Sequence, residues 1–299
     1  MRSKRRRYNF PHQDSGILFI FPQVNPRIMY HIIATTDFSD VANNAIQYAC
    51  HLAKDLDASV TLLHSFVIPV TFSDTPMPVI PVDESREIAE ERMTSYIRQL
   101  HTDFPGMEIN RKIMYGDIVD CLKEYTDAAP PLLVIMGNSG DDVPGWMGSN
   151  LVNALKNLDI PVMGVPLGMN YTPVKNICLA SDLKHVTQGG NFPVQQMQRL
   201  AEATQAKLHI LHINTGNTPK DTGEEIYLRE RLASLQPAYH VQDHTDIEEG
   251  IRNFVTEYGM DWLIMIPHKY SLLEKLFHKS QTKAVARSSN IPVIALHQG

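Results

Sequence analysis

The stretch MYHIIATTDFSDVANNAIQYACHLAKDLDASVTLLHSF, residues 29–66, contains one complete strand–helix–strand unit. Residues 29–36 (MYHIIATT) are a short apolar run with β-branched members, which predicts a buried strand ending at Asp37. Ala42, Ala45, Ile46, Ala49, Leu52, Ala53 and Leu56 then recur at three- and four-residue steps, the spacing of one helix face. Residues 59–66 (SVTLLHSF) return to a strand pattern. Strands joined through a helix lie parallel, because an antiparallel pair needs only a tight turn.

The alternation continues outward. Helices are predicted at 84–104, 117–126 and 149–157, and strands at 108–115, 132–136 (LLVIM) and 160–165. After a short Gly/Asn/Pro linker at 167–173 the order starts again. Residues 176–181 end at Asp182 as the first strand ends at Asp37, and 193–204 is amphipathic through Val194, Met197, Leu200 and Ala201. LHILHI (208–213) answers VTLLHS (60–65), and Asp246-Ile247-Glu248 answers Asp117-Ile118-Val119. LIMI (263–266) answers LVIM (133–136), and Ile291-Pro292-Val293 answers Ile160-Pro161-Val162. Matches in the same order point to a duplication.

The predicted fold is therefore α/β: two tandem open parallel five-stranded sheets with helices on both faces, a Rossmann-like arrangement. The domains are read as 29–167 and 174–299, after an extension at 1–28 expected to be disordered. That extension has a basic start, Arg2–Arg7, and an apolar run at 17–21 that Pro22 ends too early for a signal peptide. Met29, directly before the first strand, is an alternative start. The last strand of each copy, 160–165 and 291–296, should lie at a sheet edge, and unpaired edges invite pairing. The expectation is an intramolecular pseudo-dimer of the two copies, with a homodimer as the other use of such an edge.

Composition excludes several classes. The 299 residues carry 27 Lys+Arg against 33 Asp+Glu, a net charge of −6, which does not suit binding to nucleic acid. No apolar run approaches the ~20 residues of a membrane-spanning helix. Three scattered cysteines, Cys50, Cys121 and Cys178, form no CxxC pair and suit a reducing, cytoplasmic setting.

In an open parallel sheet, ligands bind beyond the carboxyl ends of the strands where the strand order reverses. If strands one and four are neighbours, Asp37 and Gly137 open onto a common crevice. A carboxylate there can accept hydrogen bonds from a ribose or base, and glycines let backbone N–H groups approach phosphates near a helix N-terminus. The segment Met136-Gly137-Asn138-Ser139-Gly140, followed by Gly145-Trp146-Met147-Gly148-Ser149, has the composition for it.

These motifs resemble the universal stress protein family in its tandem form, over nearly all of the chain after residue 28. ATP-binding members carry G-x2-G-x9-G-[ST] after the fourth strand. Here Gly137-x2-Gly140 is followed by only seven residues before Gly148-Ser149, so the loop is two residues short. Thr36-Asp37-Phe38-Ser39 is similar to the family's first-strand motif, and Gly116-Asp117 to its GD pair before the third helix. The resemblance implies a stress-response protein in which Asp37 contacts adenosine and Gly137, Gly140, Gly148 and Ser149 hold the phosphates of ATP or a related adenine nucleotide. Each residue also has a plain structural role open to it. Asp37, Ser39 or Asp40 can cap a helix, as can Ser149, and the glycines can serve turns. Asp141 and Asp142 in the same loop oppose phosphate binding.

The second copy keeps Asp182 but has Pro267 in place of Gly137 and no glycine in 267–280, so no nucleotide is expected there. Its loop is basic and aromatic, and His268 and His278 find no third metal ligand. The 67–83 insertion of the first copy, with four prolines, reads as a lid or a plain loop. His64 and His212 recur at one place in the two second strands and are read as hydrogen-bonded strand-end histidines. No G-x-S-x-G, G-x-x-x-x-G-K-[ST], H-E-x-x-H or G-x-G-x-x-G occurs, which leaves no catalytic residue to nominate. The reading is a binding protein and not an enzyme. The alternative is a regulatory or scaffold protein that works through protein contacts.

Overall fold

The computed structural model describes residues 29–67, 81–139, 147–181, 192–216, 223–266 and 291–297. In the first copy the order is β1 (His31–Thr35), α1 (Asp40–Leu56), β2 (Ser59–Phe66), α2 (Val82–Asp103), β3 (Ile109–Tyr115), α3 (Ile118–Asp127), β4 (Leu133–Asn138), α4 (Met147–Asn157) and β5 (Val162–Pro166). The second copy follows with β6 (Asn176–Ala180), α5 (Val194–Thr204), β7 (Lys207–Asn214), α6 (Gly223–Arg231), β8 (Ala238–Asp243), α7 (Ile247–Glu257), β9 (Trp262–Met265) and β10 (Val293–Ala295). Of these, α6 and β8 escape the sequence pattern. β8 is a half-exposed edge strand, and α6 groups its apolar residues in one run, Ile226–Leu228, between polar ones, so neither carries a strong apolar period.

The two expected five-stranded sheets join into one ten-stranded sheet in the order β3-β2-β1-β4-β5-β10-β9-β6-β7-β8. Pairing within each copy is parallel. At the junction β5 and β10 run antiparallel, with Val293 opposite Gly164 and Ala295 opposite Val162. Each last strand therefore satisfies the other's open edge inside one chain.

Helices cover both faces. Ile32, Ala34, Leu133 and Ile135 enter a core beneath α1, α2, α5 and α6. Their neighbours Ile33, Val134 and Met136 enter the opposite core beneath α3, α4 and α7. Each core contains residues of both copies. A strand buried on both faces has no polar face to show, which is why these segments read as unbroken apolar runs.

The linker is fastened along its length. The Asn44 amide donates to the Pro166 carbonyl at 3.1 Å, and its oxygen accepts from the Gly168 N–H at 3.2 Å. The Tyr171 hydroxyl donates to Asp55 at 2.7 Å. Asp261 accepts the backbone N–H groups of Lys175 and Asn176, each at 2.8 Å. Across the copies, the buried Trp262 indole N–H donates to the Tyr48 hydroxyl at 2.7 Å. Among the described residues no helix is long and apolar enough to cross a membrane.

Candidate functional site

The strand order reverses between β1 and β4, which pair directly through Ile32–Leu133, Ile33–Val134 and Ala34–Ile135. Their carboxyl ends open onto a crevice lined by Thr36, Asp37, Ser65, Asp117, Gly137 and Asn150, among others. The juxtaposition of Asp37 with Gly137 expected from the sequence is thus present. Its cavity is about 110 Å³, well below the roughly 300–1,000 Å³ of a typical small-molecule pocket. Among the described lining residues the charged ones are Asp37 and Asp117, both carboxylates.

The turn after β1 is built from its own side chains. Thr36 Oγ1 accepts the Phe38 N–H at 2.9 Å, and Asp37 Oδ1 accepts the Ser39 N–H at 3.0 Å. Ser39 is the N-cap of α1, its Oγ accepting the Ala42 N–H at 3.2 Å. Of the three residues that could cap this helix, Ser39 does, and Asp37 stands two residues before it at the crevice. Asp117 caps α3 by accepting the Val119 N–H at 2.8 Å, while Gly116 before it takes φ +136°, a conformation that favours glycine.

Gly137 lies within β4, which runs two residues beyond the 132–136 read from sequence and pairs Gly137 with Val165. A Cβ there would stand 2.6 Å from the Val41 carbonyl oxygen and 2.9 Å from its carbonyl carbon. The glycine is needed for the first turn of α1 to rest on β4. Gly148 and Ser149 fall in the first turn of α4, which starts at Met147 rather than at 149, so Ser149 is inside the helix and not its cap. Gly140, Asp141, Asp142, residues 68–80 of the insertion, Asp182 and the 267–280 loop with His268 and His278 lie outside the described residues.

The recurring histidines occupy matching places. His64 Nδ1 donates to the Thr36 carbonyl at 2.7 Å, and His212 Nδ1 to the Ser181 carbonyl at 3.3 Å. A carbonyl can only accept, so the proton sits on Nδ1 in both. Burial lowers the His64 pKa below its ordinary 6.5. The Thr36 carbonyl and Asp37 oppose that shift, and Arg92 adds to it. Ser65 and Asn150 also line the crevice, though no motif marks them in the sequence. Ser65 follows His64 in an alternating strand, and that period is the signal that could have found it.

The sequence profile of the universal stress protein family matches residues 29–166 and again 175–297. The chain belongs to that family. It carries two universal stress protein domains in tandem. A universal stress protein from Archaeoglobus fulgidus DSM 4304 shares the fold over 90% of this chain and 98% of its own, at 16% identity and a TM-score of 0.64. A putative universal stress protein from Pseudomonas aeruginosa UCBPP-PA14 matches over 91% of this chain and 94% of its own, at 13% identity and a TM-score of 0.51. At such identities the likeness speaks for the fold alone. Comparison with curated proteins found no match.

Proposed function

We propose that the first copy of this universal stress protein holds the nucleoside end of an adenine nucleotide between β1 and β4, acting in the cytoplasm as a stress-response binding protein and not as an enzyme. One observation carries the reading: Asp37, Gly137 and the Gly116-Asp117 pair, three separated pieces of the family pattern, line a single crevice where the strand order reverses. Asp37 is the acceptor for ribose hydroxyls or the adenine amino group. The first turn of α4, with Gly148 and Ser149, offers backbone N–H groups to phosphate.

Asp37 and Asp117 in the crevice repel a bare triphosphate, so ATP is expected to bind as its magnesium complex and adenosine without metal. Isothermal titration with adenosine, ATP and ATP–magnesium tests this. Saturable binding is expected, weakened about 10- to 100-fold in Asp37→Ala, the range for one lost hydrogen bond to a charged group. ADP release above background that Asp37→Ala abolishes would count against a pure binding role.

A second reading, a regulatory or scaffold protein without nucleotide, has its own support. The cavity is small, and packing of α1 already accounts for Gly137. Absence of heat with all three ligands would favour it.

A further inference from the structure

The turn that carries Asp37 is held only in part by its own side chains, Thr36 and Asp37. Phe38 sits at φ +65°, in the left-handed region, which a bulky side chain rarely adopts. Such a conformation persists only where its surroundings hold it. The β1–β2 ladder pairs end at Thr35 with Leu63, and the Thr36 N–H still reaches the Leu63 carbonyl at 2.9 Å. Beyond that point the His64 imidazole takes over. Its Nδ1–H donates to the Thr36 carbonyl at 2.7 Å, and its ring packs on Phe38 with centroids 4.7 Å apart. Arg92 of α2 covers the same Phe38 ring at 5.9 Å.

The second copy repeats the device. The Ser181 N–H donates to the Leu211 carbonyl at 2.9 Å, and His212 Nδ1 donates to the Ser181 carbonyl at 3.3 Å. A strand-end histidine that bonds to the same backbone position in both copies serves that position, whatever each copy binds.

We propose that His64 is a positioning residue for the candidate site: its Nδ1–H fixes the Thr36 carbonyl, and through it the left-handed turn that presents Asp37 to the crevice. His64 is not among the residues lining the cavity and acts on ligand only through Asp37. The effect on ligand rests on the nucleotide reading above, whereas the effect on the turn does not.

Two variants of similar polarity separate donor position from bulk. In His64→Asn the amide nitrogen can stand near the place of Nδ1, and in His64→Gln it stands near that of Nε2. His212→Gln is the control, since it disturbs the same device in the other copy. Hydrogen exchange of the Phe38 and Ser39 amides is expected to quicken about tenfold in His64→Gln, the scale of one lost hydrogen bond, and to stay near wild type in His64→Asn and His212→Gln. Adenosine affinity should fall by about the same factor in His64→Gln alone. Equal exchange in His64→Gln and wild type, or equal acceleration in the Asn and Gln variants, would overturn the proposal. If wild type binds no adenine compound, the nucleotide reading fails, and the exchange rates still decide the role of His64.

Discussion

At Gly137 a side chain would meet backbone atoms of Val41, which cannot rotate away as a side-chain tip could. Gly137→Ala should therefore destabilise the free protein by about 1–3 kcal/mol, the usual range for overpacking a core. A lowered urea midpoint with no ligand present is the expected result. An unchanged midpoint would mean that α1 shifts without penalty, and would return this glycine to a purely ligand-related role. The point bears on binding experiments, because affinity lost in Gly137→Ala cannot by itself be credited to phosphate contact. Asp37 is a cleaner probe. It is exposed, and Ser39 already caps the helix, so its removal touches the crevice more than the fold.

Among the elements, α1 has the widest set of duties. Its start rests on β4, Asn44 and Asp55 hold the linker, and Tyr48 accepts the Trp262 indole N–H of the second copy. The amphipathic stripe visible in the sequence stops at the alanines, Ile46 and leucines. Val41, Tyr48 and Cys50 are buried as well, with Tyr48 meeting Trp262 of the other copy. Tyr48→Phe keeps the ring and leaves the buried Trp262 N–H without its acceptor. A loss of about 1–3 kcal/mol is expected, the cost of a buried unsatisfied donor. Denaturant unfolding of Tyr48→Phe, Trp262→Phe and the double variant measures it. Strictly additive losses would show that the bond contributes nothing across the two copies.

For the whole molecule, a shared sheet and two cores with residues from both copies make the chain a single body, not beads on a linker. Its acid sensitivity should reflect buried and half-buried histidines first. Burial, the largest cause for each, lowers the pKa of His31, His64, His209 and His240 below the ordinary 6.5. The unfolded chain then binds more protons than the native one once the pH drops below about 6.5. The stability tied to these neutral histidines is full above that value and is lost as pH falls through their lower native values. Asp246 acts further down: its carboxylate is held below its ordinary 3.8, chiefly by the Glu249 N–H, so its contribution is lost only below that value. The melting temperature should thus decline between about pH 7 and pH 5. A flat or rising profile across that interval would contradict the histidine account.

Local pattern was enough to determine the strands and helices of the first copy and the duplication, because buried parallel strands and amphipathic helices write their periods directly into the chain. The facing of Asp37 and Gly137 followed only on the supposition that β1 and β4 are neighbours, which the sheet order supplies. The same pattern gave little sign of β8 and α6, where exposure removes the period. It also could not choose among Asp37, Ser39 and Asp40 as a cap, nor say whether Gly137 answers to a ligand or to α1. The cap is settled by local geometry at Ser39, whereas the role of Gly137 and the joining of the copies depend on which groups meet across long sequence separations: Val41 against Gly137, Tyr48 against Trp262, β5 against β10. A one-dimensional period records which face of an element is buried but not what buries it, and so the partners were decided by tertiary packing alone.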